Sequence, residues 1–270
     1  MPVHTADKRR AFRKLHQSGC FVIPNPWDAG SARMLQHLGF KALASTSAGF
    51  AWSQGRADYQ VTRDMVLAHL NDLVAATDLP VNADYENAFA DDPAGVAANV
   101  LMAEQIGVAG LSVEDSTPGG ASALYDFDLA VARVAAAAKA LAGTGVVLTA
   151  RCEAFLWGVN DLDEVIRRLK AYSDAGADCL YAPGLRDHET IKAIVEAVAP
   201  KPVNVLTPGF SVAELEGLGV RRVSVGGSLA RAAWGGFLEA AKEIAGEGTF
   251  TAFAKAAPGG ELNKVLGAPR

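Results

Sequence analysis

Residues 79–115 read LPVNADYENAFADDPAGVAANVLMAEQIGVAGLSVED, and they contain one complete unit of the predicted fold. An apolar run ends at Asp84, a helical pattern follows Asp92 with Pro93 at its first position, and a second apolar run ends at Glu114. Pro is favoured at the first position of a helix because an N–H there would have no partner within the helix, so its absence costs nothing. A strand, a helix and a second strand in this order form the repeating unit of a parallel sheet.

The same alternation runs through the rest of the chain. A glycine closes the helical pattern before the next strand at Gly39, Gly107, Gly176 and Gly219, where the left-handed conformation turns the chain back. The predicted strands are residues 21–24, 42–47, 80–84, 110–114, 146–150, 178–182, 202–206 and 222–225. Eight such units predict an α/β fold, a (β/α)8 TIM-type barrel. The alternative is an open doubly wound sheet, but no Gly-rich dinucleotide fingerprint follows the first strand.

We expect residues 1–270 to form one barrel domain. Helical patterns lie between the strands at 29–38, 62–76, 93–106, 129–142, 162–175 and 189–198. An N-terminal helix is predicted at 5–17 and a C-terminal helical extension at 229–256, with a loose end from 258. A barrel needs one helix after its eighth strand, so the surplus extension predicts packing on another subunit.

Charge and composition exclude several classes of partner. The net charge is −5 and the pI is about 5.6, which argues against nucleic acid or an anionic membrane as the main partner. The N-terminus has no apolar core of a signal peptide, and no apolar stretch reaches spanning length, so we expect a cytoplasmic protein. Cys20, Cys152 and Cys179 are interpreted as reduced core residues.

Two acidic clusters follow neighbouring predicted strands. Asp84 and Glu86 are two residues apart, which in a strand places both on one face, and Glu114 ends the next strand. Converging carboxylates repel one another unless a cation offsets their charge. The sequence therefore predicts a Mg²⁺ site, with Mn²⁺ as an alternative. The alternative without a metal is that these residues cap helices or form ion pairs, and Asp115 is expected to bond loop amides.

These strand ends resemble the isocitrate lyase/phosphoenolpyruvate mutase superfamily. The resemblance rests on residues 24–32, 47–49, 82–86, 112–115 and 150–155, together with Asp58. It implies a (β/α)8 barrel, a catalytic Mg²⁺ and the chemistry of 2-oxo acids and their enolates. It also implies a homotetramer, a dimer of dimers, whose subunits exchange a C-terminal helix.

The resemblance further implies roles for individual residues. Asp84, Glu86 and Glu114 would hold the metal, partly through waters. A carboxylate or phosphonate of the substrate would be bound by Ser47, Ala48 and Gly49. Arg151 would form an ion pair with the oxo acid. Asp58 would act as an acid, a base or a support for the metal. From their places near strand ends, Trp27 and Asn204 are added as candidate substrate contacts.

The chain departs from the superfamily pattern at two positions that determine which reaction is catalysed. The lyases carry a loop with a catalytic Cys after strand four, whereas residues 116–123 read STPGGASA, without Cys, His or Lys. Ala182 and Pro183 stand where the phosphonopyruvate mutases have a His. We therefore expect a lyase or decarboxylase of a simpler oxo or hydroxy acid. The alternatives are phosphonopyruvate mutase or hydrolase chemistry, a non-catalytic oxo-acid binding protein, and a barrel whose site is vestigial.

Overall fold

The computed structural model describes residues 3–117, 120, 122–206 and 209–268, and its sheet has eight parallel strands. The strands are β1 (Phe21–Ile23), β2 (Leu43–Ala44), β3 (Val81–Asp84), β4 (Gly110–Glu114), β5 (Val147–Arg151), β6 (Cys179–Tyr181), β7 (Val203–Leu206) and β8 (Arg222–Ser224). Their order in the sheet is β1-β8-β7-β6-β5-β4-β3-β2. The predicted (β/α)8 architecture is confirmed.

The seam between β1 and β2 is joined by single hydrogen bonds instead of a regular ladder. The Ala44 N–H donates to the Pro24 carbonyl at 3.1 Å, and the Asn25 side-chain amide donates to the Ser45 carbonyl at 2.8 Å. Asn25 therefore continues the pairing where the two short strands have ended. The sheet is thereby nearly closed into a barrel.

Eleven α-helices lie in the described residues. They are α1 (Thr5–Leu15), α2 (Ala29–His37), α3 (Ser47–Ser53), α4 (Arg63–Ala76), α5 (Pro93–Ile106), α6 (Phe127–Ala140), α7 (Leu162–Asp174), α8 (His188–Val198), α9 (Val212–Gly217), α10 (Ser228–Glu247) and α11 (Gly259–Gly267). The bounds of α5 are those predicted. The Asp92 side chain accepts a hydrogen bond from the Gly95 N–H, and Gly107 ends α5 with φ at 99°.

Two predicted segments were wrong in detail. The strand predicted at 42–47 ends at Ala44, because Thr46 caps a new helix by accepting a hydrogen bond from the Gly49 N–H at 3.2 Å. The C-terminal end predicted to be loose forms α11, which packs on α2 of the same chain. Between α10 and α11 a short 3-10 helix covers Thr251–Lys255.

Helix α1 closes the floor of the barrel. Phe12 is fully buried in a cluster that includes Val147 and Cys179, the first residues of β5 and β6. Lys8 donates to the Thr77 carbonyl, Arg9 to the Val108 carbonyl, and Arg13 to the Val146 carbonyl. These cations satisfy carbonyl groups in the connections that precede β3, β4 and β5.

Helix α10 leaves large apolar side chains in contact with solvent. Trp234, Phe237 and Leu238 are 41%, 60% and 45% exposed. Phe253, on the short helix that follows, is exposed as well. No helix in the described ranges is long and apolar enough to cross a membrane. Because these large apolar side chains lie close together and are exposed, the surface of α10 is unusual for a helix in contact with water.

Candidate active site

The carboxyl ends of three neighbouring strands bring opposite charges together. Asp84 ends β3, Glu114 ends β4 and Arg151 ends β5. The Arg151 Nη1 lies 2.6 Å from the Asp84 Oδ1 and 2.8 Å from the Glu114 Oε1. The Arg151 Nε donates to the Glu153 Oε1 at 2.8 Å. Two of the carboxylates predicted to bind metal are thus in direct contact with the arginine predicted to bind the oxo acid.

Burial strengthens these interactions. The side chains of Glu114 and Glu153 are 2% and 0% exposed. Burial raises the pKa of Glu114, and it raises the pKa of Glu153 to about 8, although Arg151 opposes both shifts. Burial also acts to lower the pKa of Arg151, but Glu114, Glu153 and Asp84 together hold it well above its usual value. The charge of Arg151 is therefore offset by carboxylates of its own chain.

Glu86 lies beside this cluster, but not because of the predicted strand alternation with Asp84. β3 ends at Asp84, and Glu86 lies beyond it with φ at 47°, so strand alternation does not place the two side chains. Burial, followed by the charges of Glu114 and Asp84, raises the pKa of Glu86 to about 8. Its buried Oε1 has no hydrogen-bond partner among the described residues. Ala88 also has positive φ, so the turn after β3 holds strained backbone beside the carboxylates.

Ser47, Ala48 and Gly49 form the first turn of α3. The Ser47 N–H donates to the Asp84 Oδ2 at 3.0 Å, and Ser47 and Ala48 line the cavity above Asp84. Gly49 is buried behind them, and a Cβ at this position would lie 2.6 Å from the Thr46 Cγ2. The structure thus brings Ser47 and Ala48 to the cavity, whereas Gly49 permits close packing.

Asp58 lies on the loop after α3 and lines the same cavity. Burial raises its pKa, and the charge of Asp84 adds to the shift. The next residue, Tyr59, has φ at 61° and donates its hydroxyl to the Glu114 Oε2 at 3.1 Å. The sequence analysis did not single out Tyr59, because only the folded loop places it against β4.

Asn204 and Trp27 differ in where they lie. Asn204 lines the cavity, but its Oδ1 accepts from Arg222 at 2.8 Å and its amide donates to Ser224 at 3.0 Å. Trp27 lines a separate surface cavity of about 680 Å³ with His69 and other residues of α2, α3 and α4. The structure therefore brings Asn204 to the candidate site and places Trp27 outside it.

Asp115 has the structural role that its position predicted. Its Oδ1 accepts from the Glu153 N–H at 2.8 Å, and its Oδ2 accepts from the Tyr172 hydroxyl at 2.6 Å. Ser116 donates to the Glu114 Oε2 at 2.9 Å. Residues 118, 119 and 121 of the loop after β4 lie outside the described residues.

The carboxylates could hold a cation, although not as a compact cage. In the described part of the chain, no three His, Cys, Asp or Glu side chains are arranged to bind a metal by themselves. Mg²⁺ typically takes one or two carboxylates and keeps several waters, so a compact cage is not required. The unpartnered, buried Glu86 Oε1 beside Asp84 and Glu114 is the observation that fits a cation. Asp84, Glu86 and Glu114 are the residues that would hold it.

Two further residues were missed by sequence reasoning. The ring of Tyr181 faces the Arg151 guanidinium, 4.8 Å from the ring centroid. Arg222 begins β8 and reaches the cavity from the opposite side of the barrel. Both lie inside predicted strands, and the signal that could have identified them is their polarity at positions facing the barrel interior.

Comparison with known proteins assigns the chain to a sequence family. Residues 12–245 match the family described as phosphoenolpyruvate phosphomutase. A protein of Corynebacterium glutamicum assigned as 2-methylisocitrate lyase 2 is 31% identical over 264 residues, which are 92% of this chain and 84% of that protein. Oxaloacetate decarboxylase of Paraburkholderia xenovorans is 28% identical over 72% of this chain and 67% of its own length.

A solved structure shares nearly the whole fold. It is a protein of Burkholderia cenocepacia assigned as a lyase or mutase, and it is 50% identical to this chain. The match has a TM-score of 0.95 and covers 98% of this chain and 97% of that protein.

Proposed function

Because the chain belongs to the phosphoenolpyruvate phosphomutase family, we propose that it is a Mg²⁺-dependent enzyme acting on a small 2-oxo or 2-hydroxy carboxylate. Relatives in the wider isocitrate lyase superfamily include lyases and decarboxylases. We assign this chain to carbon–carbon bond cleavage or decarboxylation through an enolate. The observation that carries the proposal is the contact of Arg151 with Asp84 and Glu114 in a cavity that all three residues line.

The size of that cavity favours a small acid. Its volume is about 180 Å³, below the range of roughly 300–1,000 Å³ usual for drug-sized ligands. Ser47, Asp58 and Arg151 line it together. A carboxylate there can accept two hydrogen bonds from Arg151 once the substrate competes with Asp84 and Glu114 for the guanidinium.

The chemistry needs charge stabilisation and one proton transfer. In a decarboxylation, the bond from the third carbon to its carboxylate breaks, CO₂ leaves, and the electron pair forms the enolate. When bound, Mg²⁺ supplies positive charge beside the enolate oxygen. A proton then returns to the third carbon. Asp58 is our candidate to hold this proton, because burial and Asp84 raise its pKa and it lines the cavity.

The loop after β4 narrows the choice of reaction. Residues 116–123 contain no Cys, His or Lys that could act as the acid of an ordinary isocitrate cleavage. Decarboxylation releases CO₂ and needs only a donor that protonates the remaining carbon. It therefore requires fewer catalytic residues from this loop than an isocitrate cleavage does. A cleavage of a different 2-hydroxy acid remains within the same proposal.

Thermal melting with added ligands tests the proposal. The intact protein is melted with and without Mg²⁺ across 2-oxo acids, 2-hydroxy acids and phosphonopyruvate. A ligand at 100 times its dissociation constant stabilises the folded state by about 2.7 kcal/mol, so binding shifts the melting temperature clearly. We expect a shift that requires both Mg²⁺ and one acid, followed by turnover of that acid. No shift with any pair would refute the proposal.

The same panel separates the alternatives. Release of phosphate or of phosphoenolpyruvate from phosphonopyruvate would assign carbon–phosphorus chemistry instead. Mg²⁺-linked binding without turnover of any acid would indicate a binding protein. Asp84→Asn provides the control, because it removes a metal carboxylate while keeping the side-chain volume.

We also propose that the protein forms a homotetramer through its C-terminal helices. Trp234, Phe237 and Leu238 of α10, with Phe250 and Phe253 after it, present apolar surface that a second copy would cover. In this structure α11 packs on its own α2, so exchange of the extension requires α11 to leave that site or α10 alone to form the contact.

A further inference from the structure

A second arginine lies inside the barrel, and the proposed chemistry does not use it. Arg222 is the first residue of β8, is 2% exposed, and lines the same cavity as Arg151, Asp84 and Glu114. Charged side chains are seldom fully buried unless a partner of opposite charge accompanies them. The surroundings of Arg222 therefore decide what it does.

Every described partner of the Arg222 guanidinium is neutral. Nε donates to the Asn204 Oδ1 at 2.8 Å, Nη2 donates to the Thr149 Oγ1 at 2.9 Å, and Nη1 lies 3.3 Å from the His16 Nε2. The His16 Nδ1 is 2.8 Å from the Phe12 carbonyl, so Nδ1 carries the hydrogen and Nε2 accepts from Arg222. Burial and Arg222 lower the pKa of His16 to about 3, which keeps the imidazole uncharged at neutral pH.

No carboxylate of the described residues forms an ion pair with Arg222. Arg151 contacts Asp84, Glu114 and Glu153 within 2.8 Å, so its charge is already offset. A guanidinium has five N–H donors, and the three contacts of Arg222 use three of them. Of the two arginines that line the cavity, Arg222 is the one whose positive charge has no matching negative charge within the described part of the chain.

The walls of the cavity are also unusual for a barrel. Interiors of such barrels are mostly filled by bulky branched residues. Here the strand residues that line the cavity include Ala44, Asn82, Ser112, Asn204 and Ser224. The Asn82 Oδ1 is buried, and no residue in the described ranges forms a hydrogen bond with it. Small polar side chains leave open space below the carboxylates, and that space leads to Arg222.

We propose that Arg222 binds a carboxylate group of the ligand at the floor of the cavity. The inference rests on the proposed function and extends it, because a ligand that occupies both ends of the cavity carries two carboxylates. One end meets Arg151 and the metal carboxylates, and the other end meets Arg222. The substrate class is therefore a small dicarboxylic 2-oxo or 2-hydroxy acid, and an acid with an apolar far end binds more weakly.

A matched pair of ligands tests this inference. Malate and 2-hydroxybutyrate have the same carbon chain and differ only in a carboxylate against a methyl group at the far end. Isothermal titration calorimetry with Mg²⁺ measures both dissociation constants in the wild-type protein. A hydrogen bond to a buried charged group contributes about ten- to hundred-fold in affinity. We expect malate to bind at least ten-fold more tightly than 2-hydroxybutyrate.

Two variants test whether Arg222 causes the preference for malate over 2-hydroxybutyrate. Arg222→Gln should remove most of the preference for malate and leave the affinity for 2-hydroxybutyrate within about two-fold. Arg221→Gln is the matched control, since the same change at the neighbouring residue affects a side chain that contacts the Gly19 carbonyl outside the barrel. The control should keep the full preference. A loss of affinity for both acids by the same factor in Arg222→Gln would assign Arg222 a structural role and overturn the inference.

The remaining outcomes are also decisive. If wild type binds both acids equally well, the proposed function stands and this inference fails. If wild type binds neither malate nor 2-hydroxybutyrate with Mg²⁺, this inference fails, and thermal melting with the wider panel of acids decides the proposed function. Should Arg222→Gln not fold, a crystal structure of wild type with malate and Mg²⁺ decides: a carboxylate within hydrogen-bond distance of Arg222 supports the inference, and none there overturns it.

Discussion

Removal of Arg151 should destabilise the metal-free protein strongly, and more so at high pH. Arg151→Met keeps most of the side-chain volume but leaves Asp84, Glu114 and Glu153 without the cation that lies 2.6 to 2.8 Å from each. Deleting one partner of a buried ion pair typically costs about 3–5 kcal/mol. With a urea dependence of about 3 kcal/mol/M, the unfolding midpoint should fall by about 1 to 1.7 M.

The pH dependence of this effect follows from the proton balance. Without Arg151, the buried carboxylates take up protons at higher pH than in the wild type, so the folded variant binds more protons than its unfolded chain. Stability then falls as pH rises. The difference between variant and wild type should therefore be largest at pH 8 and clearly smaller at pH 5.5.

Urea unfolding in EDTA at these two pH values measures the effect. Arg10→Met is the control, because Arg10 forms an exposed ion pair with Asp7 on the same helix, and such pairs contribute about 1 kcal/mol or less. A midpoint for Arg151→Met equal to that of the control, with no dependence on pH, would refute the electrostatic account of the site.

Three further predictions concern other parts of the molecule. Because the pKa of Glu86 is about 8 against an ordinary 4.5, the metal-free wild type should lose stability from pH 5 to pH 8. Glu86→Gln should reduce that loss, although Glu153, whose pKa burial also raises to about 8, keeps part of it. The same variant should weaken Mg²⁺ binding at least ten-fold by calorimetry; unchanged Mg²⁺ affinity would remove Glu86 from the metal site. Gly49→Ala should lower stability by about 1–3 kcal/mol, because its Cβ would lie 2.6 Å from the Thr46 side chain; unchanged thermal melting would contradict this. Phe237→Asp should reduce the mass measured by light scattering to that of a smaller assembly, and an unchanged mass would exclude α10 from the interface.

The fold could be predicted from the sequence because its signals are local. Pro93 after Asp92 and Gly107 before the next strand fixed both ends of α5. The same kind of signal was misleading near Ser47, where small residues continued an apparent strand although Thr46 begins a helix. A cap depends on one side-chain hydrogen bond, which composition and periodicity do not specify.

The candidate site was predicted in part because three of its charges end strands. Asp84, Glu114 and Arg151 could be aligned without knowing how far each strand is shifted against its neighbours. Arg222 could not, because its guanidinium meets Thr149 of β5 only across the barrel, and that contact depends on the tilt of all eight strands. The position of Glu86 depends on a left-handed backbone conformation that its residue type does not favour.

The attachment of α1 to the barrel floor has a consequence for how the chain folds during synthesis. Arg9 and Arg13 leave the ribosome before their carbonyl partners at Thr144 and Gly145, which are 135 and 132 residues further along the chain. Contacts of such long sequence separation slow folding. Helix α1 can therefore be anchored completely only after Thr144 and Gly145 are synthesised, and a fusion partner at the N-terminus would act on folding yield before it acted on the finished site.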